Sequence, residues 1–193
     1  FGRRVNPCKT ILSSLFPMLS HVIPSLTMQG SSAWAQGVKR VFLSTTINGV
    51  DAKGRVSVPA GFRAVVKNDP EEKIYVWPSF EGGYLEGGGQ ALLDRYLDLL
   101  EEMDPYDDAR AAFEQTIFGD TRGLAFDGTG RVTLPRDLIE HAGLDGKAAF
   151  VGLGSRFEIW NPDRLAERKK NARSFARDNK KSLRLPPRTG GGA

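Results

Sequence analysis

Two short segments hold the residues best suited to chemistry. Residues 51–63 read Asp-Ala-Lys-Gly-Arg-Val-Ser-Val-Pro-Ala-Gly-Phe-Arg, and residues 127–139 read Asp-Gly-Thr-Gly-Arg-Val-Thr-Leu-Pro-Arg-Asp-Leu-Ile. Asp51, Gly54, Arg55, Val56 and Pro59 recur as Asp127, Gly130, Arg131, Val132 and Pro135, each 76 positions later. Asp can bond the backbone two residues on, and Gly can take positive φ, so each Asp-x-x-Gly is a tight turn. Asp51, Gly54, Asp127 and Gly130 are therefore the loop-shaping residues. The arginine that follows starts a strand and is held near a loop tip. Its five fixed donors suit phosphate oxygens or a guanine edge. Arg55 and Arg131 are the candidate nucleic-acid contacts. Lys53 adds a cation to the first loop, whereas Thr129 at the matching place offers a hydroxyl. Arg63 and Arg136, on the segments that follow, are placed to flank the same surface.

Two other readings of the repeated turn compete. In the structural one, Asp caps the turn, Gly permits it, and Arg points to solvent or pairs with Asp. In the enzymatic one, the two aspartates form a proton-sharing dyad of the aspartic-protease kind. A guanidinium next to each turn opposes that, because it holds each carboxylate ionised. No phosphate-binding loop, dinucleotide fingerprint, nucleophile elbow or zinc motif occurs. The single cysteine, Cys8, excludes a disulfide framework and a cysteine-based metal site. Two histidines, His21 and His141, do not make a histidine-rich one. No cofactor, metal or catalytic group is expected.

The elements that would carry these loops are readable. Val41–Ile47 is β-rich, and Arg55–Val58 is a short strand with Val56 and Val58 on one face. Pro59 suits the first turn of a helix, in which Phe62, Val65 and Val66 line one side. Strands near Ile74–Trp77 and Gly83–Leu85 follow. The second copy repeats the order with Thr121–Phe126, Val132–Leu134, a Pro135-led helix to His141, Lys147–Val151 and Phe157–Trp160. Between the copies, Gln90–Met103 places Leu93, Leu97 and Leu100 on a stripe. Beyond Pro105, Tyr106–Phe118 turns Ala109, Phe113 and Ile117 inward. The acids Asp94, Asp98, Glu101, Glu102, Asp104, Asp107 and Asp108 read as a solvated face. A small β-unit buries little core alone, so the two copies should pair about a pseudo-twofold and lend strands to each other. The expected fold is α+β: two pseudo-symmetric β-units (41–87 and 119–162) joined by linking helices (88–118), with a basic helix and tail at 163–193.

Charge is unevenly spread along 193 residues of net charge +4. Residues 1–50 hold five bases and no acid, residues 51–163 hold 12 bases and 21 acids, and residues 164–193 hold 10 bases and 2 acids. An acidic body argues against non-specific polyanion binding by the whole surface, while a local basic face remains open to it. No run of about 18 apolar residues suggests a membrane span. Arg3, Arg4 and Lys9 ahead of an apolar run at Ile11–Leu26, with Ala33-Trp34-Ala35 before Gln36, match a secretory leader in part; Pro17, His21 and Pro24 interrupt it. The competing expectation is that residues 1–40 are an extension upstream of a start at Val41. Pro186-Pro187 should stop the basic helix, and the glycine-rich end reads as flexible tail.

With these residues in place, 41–163 resemble the MraZ family of bacterial transcriptional regulators. The resemblance rests on Phe42-Leu43, the Asp51–Pro59 motif, its recurrence at Asp127–Arg131, and Arg156-Phe157-Glu158-Ile159-Trp160. It implies two AbrB-like swapped-hairpin units in chains that assemble into a ring. It implies sequence-specific binding of double-stranded DNA at short direct repeats upstream of the division and cell-wall gene cluster, including the protein's own gene. The DNA-contacting arginine of the family falls on Arg55 and Arg131, and the adjacent basic position on Lys53. Thr129 departs from that pattern, so the two loops would contribute unequally. The expected location is the cytoplasm, at the nucleoid, with no membrane or small-molecule partner. The alternative functions are a ring-forming interaction protein without sequence-specific DNA binding, and a secreted protein, hydrolytic through the paired aspartates.

Overall fold

The computed structural model describes residues 40–183. The expectations placed on the leader-like segment and on the final tail lie outside them. The chain is mixed α+β. Eight strands are β1 (Thr45–Gly49), β2 (Arg55–Ser57), β3 (Lys73–Pro78), β4 (Leu85–Gly88), β5 (Arg122–Ala125), β6 (Arg131–Thr133), β7 (Lys147–Gly152) and β8 (Phe157–Trp160). The helices are α1 (Ala60–Val66), α2 (Gln90–Glu101), α3 (Asp108–Phe113), α4 (Arg136–Ala142) and α5 (Pro162–Asp178).

The strands form a six-stranded antiparallel sheet of order β1-β7-β8-β4-β3-β5 and a two-stranded ribbon of β2 with β6. Exchanging the two copies reverses the order and leaves it unchanged, which is the signature of an internal pseudo-twofold. The copies are interleaved. β1 of the first copy pairs with β7 of the second, and β5 of the second pairs with β3 of the first. The pseudo-axis passes between Val56 and Val132 in the ribbon and between Glu86 and Glu158 in the β4–β8 pair. Arg156 Nη1 reaches Glu86 at 2.9 Å and Glu158 at 3.4 Å, a single cation bridging two carboxylates that face each other near the axis.

One core serves both copies. Val56, Val58, Phe62, Val66, Ile74 and Leu85 are buried in the same cluster as Val132, Leu134, Leu138, Phe150, Phe157 and Ile159. The Phe62 ring lies 5.2 Å from Phe42, 6.0 Å from Phe150 and 5.4 Å from Phe157, in edge or tilted packing. Removing a ring so enclosed costs about 3–5 kcal/mol. α1 buries Phe62 and Val66, and α4 buries Leu138 and Ala142, each pair one helical turn apart.

Several expected elements shift. β1 begins at Thr45, not Val41, because Ser44 has φ +77° and breaks the strand; Phe42 forms an isolated bridge to Gly154 instead. β4 occupies Leu85–Gly88 rather than Gly83–Leu85. Its glycines are packing residues: a Cβ on Gly87 would stand 2.7 Å from the Phe157 ring and 2.6 Å from the Tyr75 carbonyl oxygen. The second linking helix starts at Asp108, where Asp107 accepts from the Ala109 N–H, and its end, Glu114–Gly119, is π-helical. Ile117 points inward as expected, but Leu97, Ala109 and Phe113 are exposed: α2 buries only Leu92 and Leu100, and α3 buries none of its residues.

Candidate nucleic-acid interface

Each Asp-x-x-Gly-Arg turn closes in the same way. The Asp51 N–H donates to the Arg55 carbonyl at 3.0 Å, and the Gly54 N–H donates to the Asp51 carbonyl at 2.9 Å. Asp51 Oδ1 accepts the N–H of Lys53 and of Arg55, both at 2.9 Å, and Oδ2 accepts Arg55 Nε at 2.7 Å. In the second loop Asp127 Oδ1 accepts the N–H of Thr129 and of Arg131, at 2.8 and 3.0 Å, and Oδ2 accepts Arg131 Nε at 2.9 Å. The Thr129 hydroxyl also donates to Asp127 Oδ1, at 2.7 Å. Gly54 and Gly130 have φ of +76° and +77°, so the turn needs glycine there.

These bonds lower both carboxylates from the usual aspartate range, Asp127 furthest. The first cause is the backbone N–H of the following arginine, for Asp51 and for Asp127 alike; in the second loop the Thr129 hydroxyl adds to it. The aspartates are thus fixed anions clamped to Arg Nε. A shared proton is incompatible with that arrangement.

The clamp has a directional result. Nε of each arginine is occupied, and among the described residues the terminal Nη atoms of Arg55 and Arg131 donate to no protein group. Each loop therefore presents a two-pronged edge of N–H donors whose orientation is set from behind. The structural reading of the turn and the recognition reading hold at once: Asp binds one side of the guanidinium and leaves the other open.

The ribbon brings the two arginines to one surface. Arg55 pairs with Thr133 and Ser57 with Arg131, while Val56 faces Val132. Residues in register share a face and neighbours alternate. Val56 and Val132 point into the core, so Arg55, Ser57, Arg131 and Thr133 all stand on the outer face, with both hydroxyls exposed. The loops also lock to each other: Gly54 O accepts the Leu134 N–H at 2.9 Å, and Gly130 O accepts the Val58 N–H at 3.1 Å. From strand rise and spacing, the two arginine Cα atoms lie roughly 8 Å apart.

The remaining sequence candidates differ in placement. Lys53 is exposed at the tip of the first loop. Thr129 commits its hydroxyl hydrogen to Asp127, leaving an oxygen that can only accept. Arg136 is exposed and pairs with Glu140 at 3.3 Å. Arg63 is tucked against Gly130, where an added Cβ would stand 2.5 Å from its Nη1. Ser57 and Thr133 were not singled out from the sequence, yet the Arg-Val-Ser and Arg-Val-Thr alternation already puts them beside the arginines. The described residues contain no group of three or more His, Cys, Asp or Glu side chains placed to hold a metal ion. Nor do they contain a helix long and apolar enough to cross a membrane.

Fold and site define a class: a duplicated α+β protein with exchanged strands, presenting a matched pair of aspartate-clamped arginine hairpins on one ribbon. A family profile described as "MraZ protein, putative antitoxin-like" matches residues 117–184. Proteins named "Transcriptional regulator MraZ" from Rickettsia akari (strain Hartford) and Rickettsia felis are 42% identical over 144 residues, covering 75% of this chain and 97% of each relative. The protein of that name from Rickettsia canadensis is 41% identical over the same span. The chain belongs to the MraZ family.

Proposed function

We propose that this protein is a sequence-specific DNA-binding transcriptional regulator that reads double-stranded DNA with the outer face of the β2–β6 ribbon. The observation that carries this is the pair of arginines clamped through Nε, with their Nη edges open on a common face. A two-stranded ribbon fits a major groove about 12 Å wide, and an arginine fork matches guanine O6 and N7. Lys53 stands beside the first fork as a phosphate contact, and Thr129 is the weaker counterpart in the second loop. The names carried by the relatives support regulation of transcription.

The finer reading follows family membership. The two units are of the AbrB-like swapped-hairpin kind, which the cross-pairing of β1 with β7 and β5 with β3 supports. The DNA sites are short direct repeats upstream of the division and cell-wall gene cluster, including the protein's own promoter, and the protein acts in the cytoplasm at the nucleoid. Chains self-associate into a ring. In support, the segments after the two units carry opposite charge: Asp94, Asp98 and Glu101 on α2 with Glu102 at its C-terminal cap, against Arg168, Lys169, Lys170 and Arg173 on α5. Unlike surfaces in one chain suit head-to-tail contacts, which give a ring where the rotation between copies closes.

The test is a fluorescence-anisotropy titration of the full chain against the duplex upstream of its own gene and a shuffled duplex of equal length, at two salt concentrations. Salt-sensitive binding with a clear preference for the native duplex is expected. Equal, weak binding to both would reject sequence-specific recognition and leave the assembly function.

A further inference from the structure

The two hairpin loops are alike in backbone and unlike in what lies beneath them. Under Gly54 sits the Ile139 methyl of α4, with Cδ1 3.1 Å from where a Cβ would stand. Under Gly130, at the pseudo-equivalent place on α1, sits the guanidinium of Arg63, with Nη1 2.5 Å and Cζ 2.6 Å from that point. Arg63 Nε is buried and has no hydrogen-bond partner among the described residues. A buried donor left unpaired is costly and calls for an acceptor.

Arg63 lines an open cleft of about 440 Å³ between α1 and the second hairpin loop. Lys67, one turn further on at the C-terminal cap of α1, and Gly130 line it too. At the rim, Gly128 has nothing within 4 Å of where its Cβ would stand, so the mouth beside the loop tip is clear. Asp127 also borders the cleft, but its charge is matched by Arg131. Glu72 is the other acid there and is in no ion pair among the described residues. The cleft therefore has two cations against one unmatched anion, and it adjoins a loop whose own tip lacks the lysine its partner has.

We propose that this cleft is a seat for a phosphate group of the DNA backbone, held by Arg63 from below and Lys67 from the side. It rests on the DNA-binding reading and adds a contact to it. The seat places a cation beneath the second loop where Thr129 leaves none at the tip. The loops are then unequal in the position of their charge, one carrying it outside and the other underneath. The donors open to an anion there are the Arg63 Nη atoms, which make no hydrogen bond among the described residues and, unlike Nε, are not buried. Phosphate contacts fix register without reading bases, so the seat would set how deeply the Arg131 fork enters the groove.

The experiment uses the full chain and three variants, Arg63→Gln, Lys67→Ala and Glu72→Gln, with thermal melting as the check on folding. Arg63→Gln keeps a donor of similar reach under Gly130 and removes the charge, and Lys67 is exposed, so both should fold. Each should flatten the slope of log K against log[salt] by about 0.9 on native and shuffled duplexes equally. Glu72→Gln should tighten binding to both. A second arm titrates inorganic phosphate and follows the Gly130 amide by NMR. A shift lost in Arg63→Gln shows that the seat takes phosphate, and the duplex arm shows that the phosphate belongs to DNA. If the parent prefers the native duplex while Arg63→Gln and Lys67→Ala leave its salt slope unchanged, the seat is refuted and the recognition reading stands. If the parent shows no preference, that reading falls; the seat then survives only if both variants still flatten the shared slope.

Discussion

Replacing both Arg55 and Arg131 by lysine separates shape from charge at the ribbon. Each arginine is paired to its own aspartate at 2.7 or 2.9 Å, so each Asp–Arg pair is close to electrically neutral and acts mainly through the direction of its Nη edge. Lysine keeps the positive charge but has no fork, and its ammonium cannot hold the aspartate and face a base edge with two fixed donors. A good bidentate arginine–guanine contact discriminates by about 1–3 kcal/mol, which is about 5- to 150-fold per loop. The double lysine variant should therefore lose at least about 25-fold in preference for the native over the shuffled duplex if the loops act independently. Its salt slope should change by less than the 0.9 or so expected for one lost phosphate contact. The fold should be unaffected, because these ion pairs stand at the surface, where such pairs add little to stability. Anisotropy titrations on both duplexes across a salt series give preference and slope together. Full retention of preference in the lysine variant would refute base reading by the forks. An equal loss on both duplexes with a flattened slope would make the arginines phosphate contacts instead.

Further predictions concern the loops and the interleaved fold. Gly54→Ala should destabilise more than Gly130→Ala: both incur about 1–2 kcal/mol for the left-handed backbone, but the new Cβ of the first meets the Leu134 carbonyl oxygen at 2.6 Å while that of the second meets the movable end of Arg63. Urea unfolding measures the difference, and a reversed order would refute the distinction. Because the folded-state pKa of Asp51 and of Asp127 is depressed, their stabilising effect is fully present above the unfolded value of about 4 and is lost as pH falls through the folded values. Unfolding midpoints should thus be insensitive to these groups from pH 5 to 8 and drop below about pH 4, with a shallower acid limb in Asp127→Asn; an identical limb would remove Asp127 from the account. Fragments 40–118 and 119–183, made separately, should each lack the circular dichroism of their share of the sheet and regain it on mixing. Independent folding of either would contradict a shared core.

The repeat, both turns and the faces of β2 and β6 were legible because they depend on neighbours in the chain. Asp bonding two residues on, Gly at positive φ, and the Arg-Val-Ser alternation need no distant partner. Strand exchange was legible only as a consequence of small unit size, and which strands cross required the actual pairing of Thr45–Gly49 with Lys147–Val151. Gly87 and Gly88 lie beyond the strand expected at Gly83–Leu85, because nothing local announces the Phe157 ring and the Leu92 side chain that exclude a Cβ there. Leu97 and Phe113 fit a helical stripe, yet the stripe was wider than the surface available to bury it. Arg63 was visible as a flanking cation, but its place under Gly130 arises from packing α1 of one copy against the hairpin of the other.

The interleaving also bears on how the chain is made. β1 leaves the ribosome roughly 100 residues before its partner β7, a wait of about 5–20 seconds at ordinary rates of synthesis. During that interval the first copy has a hairpin ready to exchange and no second copy to receive it. Pseudo-symmetry means that what it awaits resembles itself, so first halves emerging from neighbouring ribosomes on one message are complementary to each other. Completion of the second half supplies β1 and β3 with partners inside the same molecule.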